Sequence, residues 1–251
     1  MNPLKLYIDL PFSHRAAIIH SRDNVANLLT AAMRKYGYQP PDNQPARWGF
    51  GVIAKPANPG SHNPKQARLH LVQRVIVGTS DPDLATILSQ LQPNDLLEPN
   101  QVAGAGLDLR MSTISRAPSW IETEAAAFYC VSPVRVTQPS PHGEDPKEYL
   151  QTGDTFNQLL NRTMQTRFGR IFDLTLIPDS LYVKSRHGDI KARMAIKMTT
   201  DKKTAETVPL TVSGLVLPFI LTGAPEDLRD AWYSGLGRST ARGFGCLEVQ
   251  Q

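Results

Sequence analysis

The segment YSGLGRSTARGFGCLEVQQ, residues 233–251, limits what this chain can be more than any other. Four glycines (Gly235, Gly237, Gly243 and Gly245) fall within eleven residues, interleaved with Arg238, Arg242, Ser239 and Thr240. A backbone this permissive turns sharply or lets something approach it closely. A dinucleotide fingerprint needs G-x-G-x-x-G right after a strand and opening a helix. Here Gly235-Leu236-Gly237 follows a helical stretch, precedes the last strand-like run, and has Thr240 where the third glycine belongs. The P-loop pattern GxxxxGK[ST] is absent. A helix cap with a tight turn into an edge strand accounts for one or two glycines, not for GLGRSTARGFG. A loop without large side chains lets backbone N–H groups reach a phosphate. The two arginines add charge and the two hydroxyls add donors, which suits a nucleic-acid strand crossing the loop.

The rest of the chain supplies a scaffold for such a loop. Leu4, Leu6, Ile8 and Leu10 alternate with Lys5, Tyr7 and Asp9, the pattern of a half-buried strand. Val25, Leu28, Leu29, Ala32, Met33 and Tyr36 form a helical stripe over 23–37, with Ser21 or Asp23 to cap it and Gly37 to stop it. Residues 47–54 and 67–79 read as strands around a Pro/Gly/Asn-rich loop, 80–92 as a helix, and 104–114 as a strand. The order is β-α-β-β-α-β, the ferredoxin-like unit. After a break at RAPSW (116–120) a second unit of similar grammar follows, with an extra hairpin. The expected class is α+β, two tandem ferredoxin-like (βαββαβ, RRM-like) domains at 1–117 and 124–251.

Net charge is only +4, with a pI near 9.1, so what matters is clustering. Residues 182–203 hold seven Lys/Arg, including Lys184, Arg186, Lys191, Arg193 and Lys197, against two acids. From Ile190, Lys191, Arg193 and Lys197 share one strand face, and Ile190, Met194, Ile196 and Met198 the other. The helical segment NRTMQTRFGR adds Arg162, Arg167 and Arg170, and an earlier strand aligns Arg68, His70 and Arg74. Each cluster alone also fits a solvated face. Together they suit a polyanion, because phosphate contacts carry much of nucleic-acid affinity.

Cys130 and Cys246 belong to no Cys/His group with metal spacing and read as reduced core thiols of a cytoplasmic protein. The first residues lack the pattern of a signal peptide. The longest apolar stretch, 212–224, is shorter than the roughly 20 residues a bilayer needs and contains Pro218, so no membrane association is expected.

The stretch VSGLVLPFILTG (212–223), a short helix and then GLGRSTARGFGCLEV resemble the glycine-rich loop region of the RAMP superfamily. More closely they resemble the CRISPR repeat-RNA processing endoribonucleases. Cys130-Val-Ser-Pro-Val-Arg135 resembles the strand that opens their second domain, and the short helices and long N-terminal loop look most like the divergent type IV versions. The resemblance implies binding of a CRISPR repeat stem-loop RNA and a cut on the 3′ side of the stem. The ribose 2′-OH would attack its own phosphate, with no metal or cofactor, leaving a 2′,3′-cyclic phosphate and a 5′-OH. The protein would stay on the hairpin or join other subunits of a CRISPR ribonucleoprotein.

That reaction asks for a base, an acid, and cations for charge on phosphorus. The family often places a histidine between the first strand and helix. Here FSHRAAIIHSRDNVAN offers His14 and His20, and His20 stands next to the helix start and Arg22. Arginine exchanges protons poorly but fixes phosphate, so Arg22, Arg34 and Arg242 form an alternative catalytic set. His70 ranks below His20, and His142 lies in a Pro-rich loop. The RNA-binding set is Gly235, Gly237, Arg238, Ser239, Thr240 and Gly243 with the basic residues above. Trp120, Trp232 and Trp48 read as core rather than as base-stacking residues, and Trp48 and Phe50, alternating with Gly49 and Gly51, are the candidate exceptions. The alternatives are a non-catalytic RNA-binding subunit, and an unrelated α+β protein whose glycine loop is only a turn.

Overall fold

A computed structural model describes residues 2–11, 17–18, 22–40, 44–56, 69–140, 145–200 and 207–250. His14, His20, Ser21, Arg68, His142, Lys202 and Lys203 lie outside these residues.

The first half contains β1 (Leu4–Asp9), β2 (Ala17–Ile18), α1 (Arg22–Arg34), β3 (Trp48–Pro56), β4 (Leu69–Thr79), α2 (Pro82–Leu88), α3 (Leu97–Ala103) and β5 (Thr113–Arg116). Its strands run β3-β4-β1-β5, every pairing antiparallel, and β2 pairs with the start of β4. The apolar face of β1 and the stripe of α1 form one core with Trp48 and Phe50. The helix begins at Arg22, so Asp23 lies in its first turn rather than capping it.

The second half contains β6 (Ala125–Cys130), β7 (Thr137–Gln138), β8 (Lys147–Glu148), α4 (Asp154–Phe168), β9 (Thr175–Pro178), α5 (Ser180–Ser185), β10 (Lys191–Thr200), β11 (Thr207–Leu215), β12 (Phe219–Thr222), α6 (Pro225–Ser234) and β13 (Leu247–Val249). The sheet order β13-β6-β12-β9 repeats that of the first half. Both halves are ferredoxin-like, with the β10–β11 hairpin inserted between the second and third strands of the second sheet.

Two expectations need correction. Residues 104–112 are not strand. Gly104 and Gly106 adopt positive φ, and the Asn100 side chain holds the Leu107 backbone from both sides. Apolar alternation at Ala105, Leu107 and Leu109 instead buries a loop against the core. Also, 182–203 is not all hairpin, since Lys184 lies on α5 and Arg186 at its end.

The halves are joined through a buried cation. Lys5 Nζ donates to the carbonyls of Leu247 (2.5 Å) and Trp232 (3.3 Å), pairs with Glu248 (2.9 Å), and lies 4.5 Å from the Trp232 ring centre. Lys5→Met would strand two carbonyls and a carboxylate, and is expected to cost about 3 kcal/mol in denaturant unfolding. Where the halves meet, a side chain on Gly49 would stand 2.5 Å from the Ser234 carbonyl oxygen, so only glycine fits there. Among the described residues, no helix is long and apolar enough to cross a membrane. Cys130 and Cys246 are free thiols, which burial pushes up to about 12 and about 11.

Candidate nucleic-acid interface

The glycine loop runs from the end of α6 to β13 and is mostly buried. Gly237 has φ +84°, and a methyl group there would stand 2.5 Å from the Arg135 carbonyl oxygen. Gly245, at φ +64°, leaves room only for hydrogen beside the Leu236 carbonyl. The N–H groups of Leu236, Arg238, Arg242, Gly243, Phe244 and Gly245 all donate to protein carbonyls. These donors, that of Gly243 among them, are therefore not free for a phosphate. Its glycines let it fold tightly on itself and against Arg135. Thr240 is also turned inward, donating to the Trp48 carbonyl at 2.7 Å. What the loop presents outward is Arg238, Ser239 and Arg242. Ser239 holds φ +63°, an uncommon conformation for a residue with a side chain.

The three arginines of α4 and its end have three fates. Arg162 is exposed. Arg167 is buried, and its guanidinium donates to the carbonyls of Gly235 (2.8 Å), Gly237 (3.1 Å) and Ser234 (3.0 Å) and reaches Ala46 (3.3 Å). Burial brings it down to about 10, so it stays cationic at neutral pH, bound to the loop's backbone at the edge of a cleft. Arg170 is paired with Asp227 and Asp230, and its charge is spent there. Arg74 is likewise committed: it pairs with Asp9 at 2.6 Å and stacks on Tyr7. His70 sits opposite Ala17 of β2. Trp48 and Phe50 are core residues and cannot stack on bases.

Two basic places remain. The first is a cleft of about 620 Å³ between α4 and the loop, whose lining includes Arg162, Thr163, Thr166, Arg238, Ser239 and Arg242. Among the described residues no carboxylate lines it. The second is the start of α1. Arg22 packs there against the loop: a methyl group on Gly243 would come within 3.0 Å of its Cδ. Its Nε and Nη1 are buried and have no hydrogen-bond partner. Burial lowers Arg22 to about 10, still protonated at pH 7. Asp23 beside it is raised by burial and held back by the positive charges of Arg242 and Lys197. The β10–β11 hairpin is fixed here because Met194 and Ile196 pack with Val212 on Phe244 of the loop. Lys191, Arg193 and Lys197 stay exposed on the hairpin, and Lys184 and Arg186 on and after α5. Arg242 serves both places.

Arg34 is not part of this arrangement. It lies at the far end of α1, whose 13 residues span roughly 18 Å, so it cannot share a phosphate with Arg22. One residue was missed. Arg135 donates to Ser239 Oγ (2.8 Å) and Glu148 (3.3 Å), with its Nε buried and unpartnered. Burial lowers it, Glu148 opposes this, and the charges of Arg238 and Arg242 lower it further. The available signal was a charge between Val134 and Val136 in an otherwise apolar run.

A family model, CRISPR associated protein Cas6, C-terminal, matches residues 115–249, more than half of the chain. No curated protein sequence matches. Among solved structures, a Cas6-related gene product from Pyrococcus furiosus superposes with a TM-score of 0.64 at 12% identity, over 100% of this chain and 99% of that one. A RAMP protein described as binding different RNA substrates gives 0.64 at 14% identity, over 99% and 100% of the two chains. A CRISPR associated protein Cas6 gives 0.56 at 10% identity, over the full length of both. At these identities the likeness speaks for the fold.

Proposed function

The chain belongs to the Cas6 family of CRISPR associated proteins, and on that premise we propose that it binds CRISPR repeat stem-loop RNA and cuts it 3′ of the stem. The observation that carries this reading is the continuity of the two basic places through Arg242, which links the cleft to the unpartnered Arg22 at the start of α1. The scissile phosphate lies at Arg22 and Arg242, whose charges stabilise the extra negative charge on phosphorus as the 2′-OH attacks. The buried, unpartnered N–H groups of Arg22 have most to gain from a phosphate oxygen, having no other partner to lose. His20, two residues before Arg22, takes the proton from the 2′-OH. Lys184, Arg186, Lys191 and Arg193 track the phosphates of the stem. Residues 1–117 and 124–251 act as the two domains, and the type IV likeness stays part of the same proposal.

A second reading, a non-catalytic RNA-binding subunit of a CRISPR complex, draws on the chemistry of the same residues. Arg22 at about 10 and Arg242 hold phosphate but exchange protons poorly. The end groups of the products separate the two. With a stem-loop repeat RNA, the enzyme reading expects one upstream fragment ending in a 2′,3′-cyclic phosphate and a downstream fragment with a 5′-OH. Tight binding with no fragments favours the subunit.

A further inference from the structure

We propose that the cleft between α4 and the glycine loop is a slot for a short single-stranded run of the substrate RNA, and that it reads amino-bearing bases. The inference rests on the RNA reading above and assigns to the cleft a task distinct from the cut. About 620 Å³ is the scale of a small-ligand pocket, room for a few nucleotides and not for a duplex. Its charge calls for an anion, since Arg162, Arg238 and Arg242 line it with no carboxylate among the described residues.

Hydrogen bonds already made in the walls fix the polarity of the remaining groups. Thr163 Oγ1 donates to the Leu159 carbonyl and Thr166 Oγ1 to the Arg162 carbonyl, both at 2.8 Å. Their protons are therefore spent along the helix, and only lone pairs face the cleft. Ser239 is the reverse: its oxygen accepts from Arg135, which leaves its own proton to give. Arg238 gives one N–H to Thr137 and keeps the rest of its fork. One wall thus offers cations and a hydroxyl donor, as a phosphate requires. The α4 wall adds the Arg162 cation for phosphate and two threonine acceptors, and the acceptors match the exocyclic amino group of cytosine and not the carbonyl that uracil carries in its place.

The test uses the full-length protein with labelled six-nucleotide oligocytidylate and oligouridylate, and the stem-loop repeat RNA as a reference. Oligocytidylate is expected to bind roughly fivefold tighter than oligouridylate, the worth of about one hydrogen bond. Thr166→Val keeps shape and should abolish that preference while leaving oligouridylate affinity unchanged. Arg162→Ala should weaken both and reduce the salt slope by about one. Equal binding of the two oligonucleotides, or a preference that survives Thr166→Val combined with Thr163→Val, overturns base reading. Stem-loop binding with no affinity for either oligonucleotide overturns the slot and leaves the RNA reading standing. If no RNA binds, the RNA reading falls first.

Discussion

Arg167→Ala is expected to remove about 4 kcal/mol of folding stability, a large effect for one substitution. The guanidinium serves the carbonyls of Ser234, Gly235 and Gly237 from a site with almost no solvent, and no neighbouring group replaces it. Each stranded carbonyl costs on the order of 1–3 kcal/mol, and the lost packing adds to that. Relief of the buried charge offsets only part. Urea unfolding checks it: the midpoint should fall with an unchanged slope, as for a loss of stability alone. Arg167→Met fills the space but supplies no donors, so it should recover only a fraction. Arg162→Ala, on the exposed face of the same helix, should shift stability by less than about 0.5 kcal/mol. Full recovery with Met would mean that packing, not the hydrogen bonds, fixes the loop.

Arg22→Met is expected to act in the opposite sense on stability. A buried guanidinium with two unpartnered nitrogens is a cost to the folded state, which shows in its lowering to about 10. For a group whose folded pKa is depressed and which is still charged at neutral pH, removing the charge stabilises. A well-packed apolar replacement should therefore leave stability unchanged or raise it by about 1 kcal/mol. Cleavage of the stem-loop under single-turnover conditions should fall by about 100-fold or more, as for loss of one preorganised donor to a developing anion. Binding should weaken far less, because the other cations remain. Together, gained stability and lost cleavage mark a residue kept for chemistry. Lost stability with normal cleavage would make Arg22 a structural residue.

The element order of both halves was legible because period-two apolar patterns were clean in β1 and β10 and the α1 stripe was unbroken. The glycine loop lies where the sequence placed it, but six of its N–H groups turn to protein carbonyls. Its glycines serve close packing against Arg135 and Leu236, and in one dimension that is indistinguishable from a loop open to a ligand. Arg162 and Arg167 looked equivalent as charges. Five residues turn a helix by about 140°, a hint that they face different sides, but nothing local shows that loop carbonyls lie on one of them. The acids that neutralise Arg170 come from α6, 57 and 60 residues away. Gly49 and Gly51 made Trp48 and Phe50 candidates for stacking, yet Gly49 admits the Ser234 backbone and Gly51 the Cys246 side chain, and both aromatic residues belong to the first core. Arg135 was hidden because its role depends on Ser239, 104 residues later.

The 2′-OH chemistry is tested most directly by incubating the purified protein with labelled stem-loop repeat RNA in EDTA, beside the same RNA carrying a single 2′-deoxy substitution at the cut site. One discrete product is expected from the first RNA and none from the second, with equal binding of both. Cleavage of the deoxy RNA, or cleavage that EDTA abolishes, would contradict the 2′-OH chemistry assigned to Arg22 and Arg242.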